Sequence, residues 1–219
     1  MNSFWKYFFA IVFFCSVSGV MPAQEQTGEN PVQNWRMAIL RKSGSAYESI
    51  PFHRPLLLSR KDLYQLYLGF ESTGYCYVIQ EDDAGKLPLV FRMAFSPGDT
   101  ITLPEGSTLP EGTTLPGGEG GDFKASDLPG TSRLYVLISS QPRQNLERLI
   151  DQYNQEPVSD SLERSLLSEV LAMRRSISSR GEIPETQAPP SETDRPMKGQ
   201  LWTFEDRDAW AVTVVIRVQ

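Results

Sequence analysis

Hydrophobic side chains come in short blocks along the first half of the chain, at 35–40, 47–58, 62–70, 74–80 and 87–95. Each block is rich in aromatic and β-branched residues and bounded by Gly, Ser, Asp or Pro, the pattern of strands in an antiparallel sheet. Glu81-Asp82-Asp83-Ala84-Gly85 separates the last two blocks, which therefore read as a hairpin with a turn longer than two residues. Another apolar run, 133–138, predicts one more strand. The period then changes. Ser139-Ser140-Gln141-Pro142 is a helix start, and Leu146, Leu149, Ile150 and Tyr153 follow at i, i+3, i+4 and i+7, on one helix face. Asp160, three residues before Glu163, opens a second helix in the manner of a capping box; Leu162, Leu166, Leu167, Val170, Leu171 and Ile177 form its stripe until Gly181 and Pro184. A helical pair is thus expected within 142–180, with Arg174, Arg175 and Arg180 near its end, where the helix dipole favours cations. At the C-terminus Trp210, Val212, Val214, Ile216 and Val218 alternate strictly with Ala211, Thr213, Val215 and Arg217. This last strand is expected to pair with 201–204 and to rejoin the sheet begun at Trp35, closing one domain over 35–219. The predicted fold is mainly β, of the α+β class: an antiparallel, sandwich-like core with two amphipathic helices toward the C-terminal side and a returning terminal strand.

Between these blocks lie segments with little to bury. Residues 24–34 read as a flexible leader and 181–200, with Pro184, Pro189, Pro190 and Pro196, as an exposed linker. Residues 102–121 contain an imperfect six-residue repeat, Thr102-Leu103-Pro104-Glu105-Gly106, Thr108-Leu109-Pro110-Glu111-Gly112 and Thr114-Leu115-Pro116-Gly117-Gly118, which predicts a long loop of repeated turns. The first 23 residues differ again: Lys6 precedes a charge-free run, 7–17, and Met21-Pro22-Ala23 offers a small residue for cleavage before Gln24, with a second site after Gly19. That is the anatomy of a signal peptide, and its apolar run is shorter than the roughly 20 residues of a membrane span. Cys15 belongs to that run, because Phe13 and Phe14 stand where a lipid-attachment signal has small residues.

Composition narrows the chemistry. The net charge is −6, and loss of 1–23 removes one lysine and no acid, leaving −7. Phosphate backbones and anionic lipid repel such a chain, so no nucleic-acid partner is expected, and the mature domain is not expected to span a membrane. Only Cys76 survives cleavage; in an apolar-aromatic run it reads as buried. His53 is the single histidine, which rules out a metal centre of several imidazoles, and with no Gly-x-Ser-x-Gly elbow it reads as structural. No phosphate loop, dinucleotide fingerprint or zinc spacing is present, so no catalytic, metal or cofactor-binding residue is predicted. Glu81, Asp82 and Asp83 lack the twelve-residue calcium loop and read as turn carboxylates facing water.

Three classes of function remain. The preferred one is a non-enzymatic interaction domain of the periplasm or cell surface, whose partner is another envelope protein. Its candidate contacts are an edge strand, Tyr64, Tyr67, Tyr75 and Tyr77, and the Thr-Leu-Pro loop with Glu105 and Glu111. The same tyrosines fit ordinary core or half-buried strand positions. A carboxylate-dependent hydrolase would need two acids converging in a cleft. A small outer-membrane barrel is suggested by the last strand and opposed by the two helices and the Pro-rich linker.

Leu58-Ser59-Arg60-Lys61-Asp62-Leu63-Tyr64-Gln65-Leu66-Tyr67, then Gly74-Tyr75-Cys76-Tyr77-Val78-Ile79 with Asp83 and Gly85, then Leu89-Val90-Phe91, resemble the bacterial domain-of-unknown-function family 4384. Phe123, Pro129-Gly130 and the strand 134–139 resemble its closing segment, so the likeness covers about residues 50–150. Arg92 stands where a proline would follow Phe91, Ser132 where an acid is common, and the Thr-Leu-Pro loop is longer than usual. Such domains occur in exported or envelope proteins and beside signalling or protease modules, with no established activity. The resemblance therefore implies an interaction role and supplies no catalytic residues.

Overall fold

The computed structural model describes residues 33–44, 46–52, 54–60, 62–103, 123–124, 129–155, 158–178, 187–188 and 201–219. The expected signal peptide 1–23, most of the leader 24–34, His53, and most of 102–121 and 181–200 lie outside them. In chain order the described elements are β1 (Gln33–Ser43), β2 (Ala46–Ile50), β3 (Leu56–Leu58), β4 (Leu63–Phe70), β5 (Gly74–Glu81), β6 (Leu89–Phe95), β7 (Thr100–Leu103), β8 (Phe123–Lys124), β9 (Gly130–Ser139), α1 (Gln144–Gln155), α2 (Asp160–Ser178), β10 (Gln187–Ala188), β11 (Leu201–Arg207) and β12 (Ala209–Val218).

Alternation along the strands places one row of apolar side chains on a shared interior. Trp35, Met37 and Ile39 of β1, Leu66, Leu68 and Phe70 of β4, Cys76 and Val78 of β5, Leu134, Val136 and Ile138 of β9, and Val212, Val214 and Ile216 of β12 belong to one buried cluster. These strands form two facing sheets. The first runs β10-β11-β1-β4-β7, with β2 also on β1 and β8 also on β4; the second runs β3-β12-β9-β5-β6. Aromatic rings tie the sheets together: Phe70 of the first stacks on Phe95 of the second at 3.9 Å between centroids. Phe204 stacks on Trp35 at 4.1 Å and receives Trp210 of the second sheet edge-on at 5.2 Å.

The outer face of the second sheet is apolar as well. Tyr77, Ile79, Val90, Tyr135 and Leu137 bury it against Leu146, Leu149 and Ile150 of α1 and Leu166, Val170 and Met173 of α2. Among the described residues the molecule is therefore mainly β with a helical layer and two open sheets, rather than the single closed sheet that an outer-membrane barrel needs. The β5–β6 hairpin forms as the sequence predicts, pairing Gly74 with Phe95 through to Gln80 with Leu89.

Several expectations need correction. The block 47–58 is two strands, because Pro51 and Pro55 interrupt it, and they enter different sheets. β3 runs parallel to β12, so the sandwich is not wholly antiparallel. Gln33 and Asn34 belong to β1 rather than to the leader. Thr102 and Leu103, expected to start the long loop, are buried residues of β7 paired with β4, and the linker contributes Gln187–Ala188 to the edge of β11. The terminal strand β12 lies in the second sheet against β9, not in the sheet of Trp35, and it does not pair with 201–204: β11 pairs with β1 instead. A strand with one apolar face satisfies its burial from either side of a sandwich, so alternation alone does not choose the sheet.

Polar residues set the turns. Asp62 Oδ2 accepts the Ser59 N–H at 2.9 Å, and Asp99 Oδ2 accepts the Ser96 N–H at 2.7 Å, two Ser-x-x-Asp straps leading into the adjacent strands β4 and β7. In the hairpin turn, Asp82 Oδ1 accepts the N–H groups of Ala84 and Lys86 at 2.9 and 2.8 Å, and Gly85 takes a φ of 75°, which disfavours any side chain. Asp83 Oδ2 accepts the Thr131 N–H at 2.7 Å and lies 2.3 Å from where a β-carbon on Gly130 would stand, too close for both. Gly130→Ala must displace that carboxylate, and it is expected to cost about 1 kcal/mol, like Asp83→Ala. The double variant should cost no more than either single one, read by urea unfolding; additive losses would show that the two residues do not interact.

Candidate functional site

The structure disperses the residues the sequence nominated. Tyr64 points into the sandwich and Tyr67 lies on the opposite face of β4 with Ala38, Leu40 and Tyr47. Tyr77 is fully buried beneath the helices and Tyr75 is half-buried beside it. The rings of Tyr64, Tyr67 and Tyr77 are therefore core, not surface contacts, and burial raises the phenol pKa of Tyr64 and Tyr77. Glu105, Glu111 and His53 lie outside the described residues. Cys76 is buried, which pushes its thiol pKa up. Glu81 accepts the Tyr135 hydroxyl at 2.7 Å and Arg133 Nη1 at 3.4 Å, so the three acids expected to face water all hold partners within the fold. Among the described residues no group of three His, Cys, Asp or Glu is placed to hold a metal ion, and no helix is long and apolar enough to cross a membrane.

Polar chemistry is concentrated instead along the seam between the helices and the β5–β6 hairpin. Glu147 and Asp151 stand one turn apart on α1 and share a single guanidinium. Arg92 of β6 reaches the Glu147 carboxylate with Nη1 and Asp151 Oδ1 with Nη2 at 2.5 Å. Burial opposes the charge of Arg92, and the carboxylates of Asp151 and Glu147 outweigh it, leaving its pKa raised. Tyr77 donates its hydroxyl to Glu147 Oε1 at 2.7 Å and accepts the Arg143 N–H at 3.0 Å. At the other end, Lys86 Nζ lies 2.5 Å from Asp160 and 3.0 Å from Glu163, and it lowers the pKa of Asp160. Glu163, only 6% exposed, accepts the buried Leu87 N–H at 3.1 Å, and Tyr153 donates to the Leu87 carbonyl at 2.6 Å. The capping-box reading of Glu163 is thereby corrected: the Ser159 hydroxyl accepts the Leu162 N–H at 3.3 Å at the helix start, while Glu163 turns inward to the hairpin.

A signal for Glu163 was present in the sequence: it sits three residues before Leu166 and seven before Val170, inside the apolar stripe. Two carboxylates do converge, at Glu147 and Asp151, but they are engaged by Arg92 rather than held ready for proton transfer. The seam binds helices to sheet.

The sheet edges are the other feature of the site. β6 ends the second sheet and spans seven residues, more than β2, β3, β7, β8 or β10 at the other margins. Among the described residues it pairs only with β5. Ala94 is exposed and Met93 is half-buried against the main core.

No family model, curated protein or solved structure matches this chain. Asp83 and Gly130 have structural employment in the strap from the β5–β6 turn to β9, and Gly85 in the turn itself.

The seam and the core make the fold sensitive to alkali. Burial, joined by hydrogen bonds or charge from glutamates, raises the pKa of Tyr77, Tyr135 and Tyr153, and burial raises that of Tyr64. A raised phenol pKa contributes stability that is present below the ordinary value of 10.0 and is lost as pH climbs above it. Tyrosinate absorbance should therefore show Tyr64, Tyr77, Tyr135 and Tyr153 ionising late, together with unfolding; ordinary ionisation of these four in the folded chain would contradict the burial described here.

Proposed function

We propose that this chain is an exported, non-enzymatic protein-binding domain of the cell envelope, periplasmic or cell-surface, which takes a strand of its partner along β6. The observation that carries the reading is the state of that edge. Natural edge strands are commonly guarded by an outward charge. On β6 the single charged residue is Arg92, and Glu147 and Asp151 draw it onto α1; among the described residues the strand pairs on one side only, and its surface opens at Arg92, Met93 and Ala94. Main-chain pairing supplies affinity in strand addition, and the residues on either face supply selection. The signal-peptide pattern at 1–23 and the likeness to an envelope-associated family support the compartment.

The test places a photo-crosslinking amino acid at Ala94, and separately at exposed Arg148 on α1, in the full chain expressed in its own cells. A discrete adduct with one envelope protein from position 94 and none from 148 is expected. Equal labelling from both positions, or retention of the chain in the cytoplasm on fractionation, would sink the reading.

A further inference from the structure

We infer that the segment accepted beside β6 is an extended peptide with a lysine or arginine flanked by apolar residues, supplied by a different protein. This rests on the strand-addition reading and adds the chemistry of the partner. The argument begins with charge. At the helix face of β6 two carboxylates, Glu147 and Asp151, share the guanidinium of Arg92; Arg143 acts on Tyr77, the partner of Glu147, at the inner part of the seam, so Asp151 is the acid available to a further cation where the sheet ends. Asp151 is half-exposed, with 49% of its side chain open to solvent. A strand added to β6 lies roughly 4.8 Å further out, and the residue opposite Arg92 points to the same face, toward α1. A cation there completes the network; an acid there meets Asp151 with like charge.

The opposite face selects differently. Residues on either side of that cation turn toward the sandwich interior, beside Met93, which is half-buried against the main core. An apolar side chain there extends the interior, whereas a polar one is desolvated without a partner. The alternation apolar-basic-apolar follows from the period of two. The net negative charge of the whole chain adds long-range attraction for a basic segment.

The experiment measures fluorescence anisotropy of two capped decapeptides, one alternating valine with lysine and one alternating valine with glutamate, added to the full chain. The lysine peptide is expected to bind about fivefold or more tightly than the glutamate peptide. Asp151→Asn should shrink that preference toward parity, Asp151→Lys should reverse it, and Glu48→Gln, at an exposed position of β2, should leave it unchanged. Equal binding of both peptides, or a preference untouched at Asp151, overturns the charge selection while leaving strand addition in place. Pairing of β6 with a second copy in sedimentation equilibrium, with neither peptide able to compete, overturns the assignment to a different protein. Failure of both peptides in a monomer that also gives no adduct from position 94 defeats strand addition itself.

Discussion

Phe204→Ala is expected to cost about 3–5 kcal/mol, the range for emptying the site of a buried aromatic ring. Phe204 is wholly buried, stacked on Trp35 and capped by the edge of Trp210, so its ring joins the two sheets at one end of the sandwich. Small neighbours do not fill that space, because both contacts are rigid indoles held by opposite sheets. Urea unfolding followed by tryptophan fluorescence reads the loss, and alkylation of buried Cys76 gives a second, independent report. A change below about 1 kcal/mol would mean that β11 is not part of the core.

Glu163→Ala is expected to cost about 2–3 kcal/mol, because it leaves the buried Leu87 N–H without an acceptor. Glu163→Gln keeps a side-chain oxygen in reach and loses mainly the contact with Lys86, which is half-exposed and contributes little. Its cost should stay under about 1 kcal/mol. The ordering Ala well above Gln, in thermal unfolding, identifies the bond to Leu87 as the tie between α2 and the hairpin. Equal losses would assign the effect to charge instead.

The elements were legible wherever a period ran unbroken. The helical stripes Leu146-Leu149-Ile150 and Leu166-Val170 are buried, and Trp210 through Ile216 point inward in alternation. The partnerships of strands were not legible, since β11 and β12 are neighbours in sequence yet enter opposite sheets at Asp208, and each has an apolar row that either sheet accepts. The Ser140 N–H, bonded to the Asp208 carbonyl at 3.0 Å, marks that crossing. Tyrosine drew attention as a contact residue because it is amphipathic, but in this fold the hydroxyls of Tyr77, Tyr135 and Tyr153 find acceptors under the helices and their rings fill the core. Arg92 was visible only as a departure from a family pattern. Its role depends on two acids 55 and 59 residues away, a distance no local period spans.

Amide hydrogen exchange through residues 89–95 of the free, monomeric chain tests the open edge most directly. In an antiparallel pair, alternate residues direct their N–H groups to the neighbouring strand and the others direct them outward. Every second amide of β6 should therefore exchange fast while those of β5 and β9 stay protected, and uniform protection along β6 as strong as in β5 would show that the edge is already occupied and contradict the proposal.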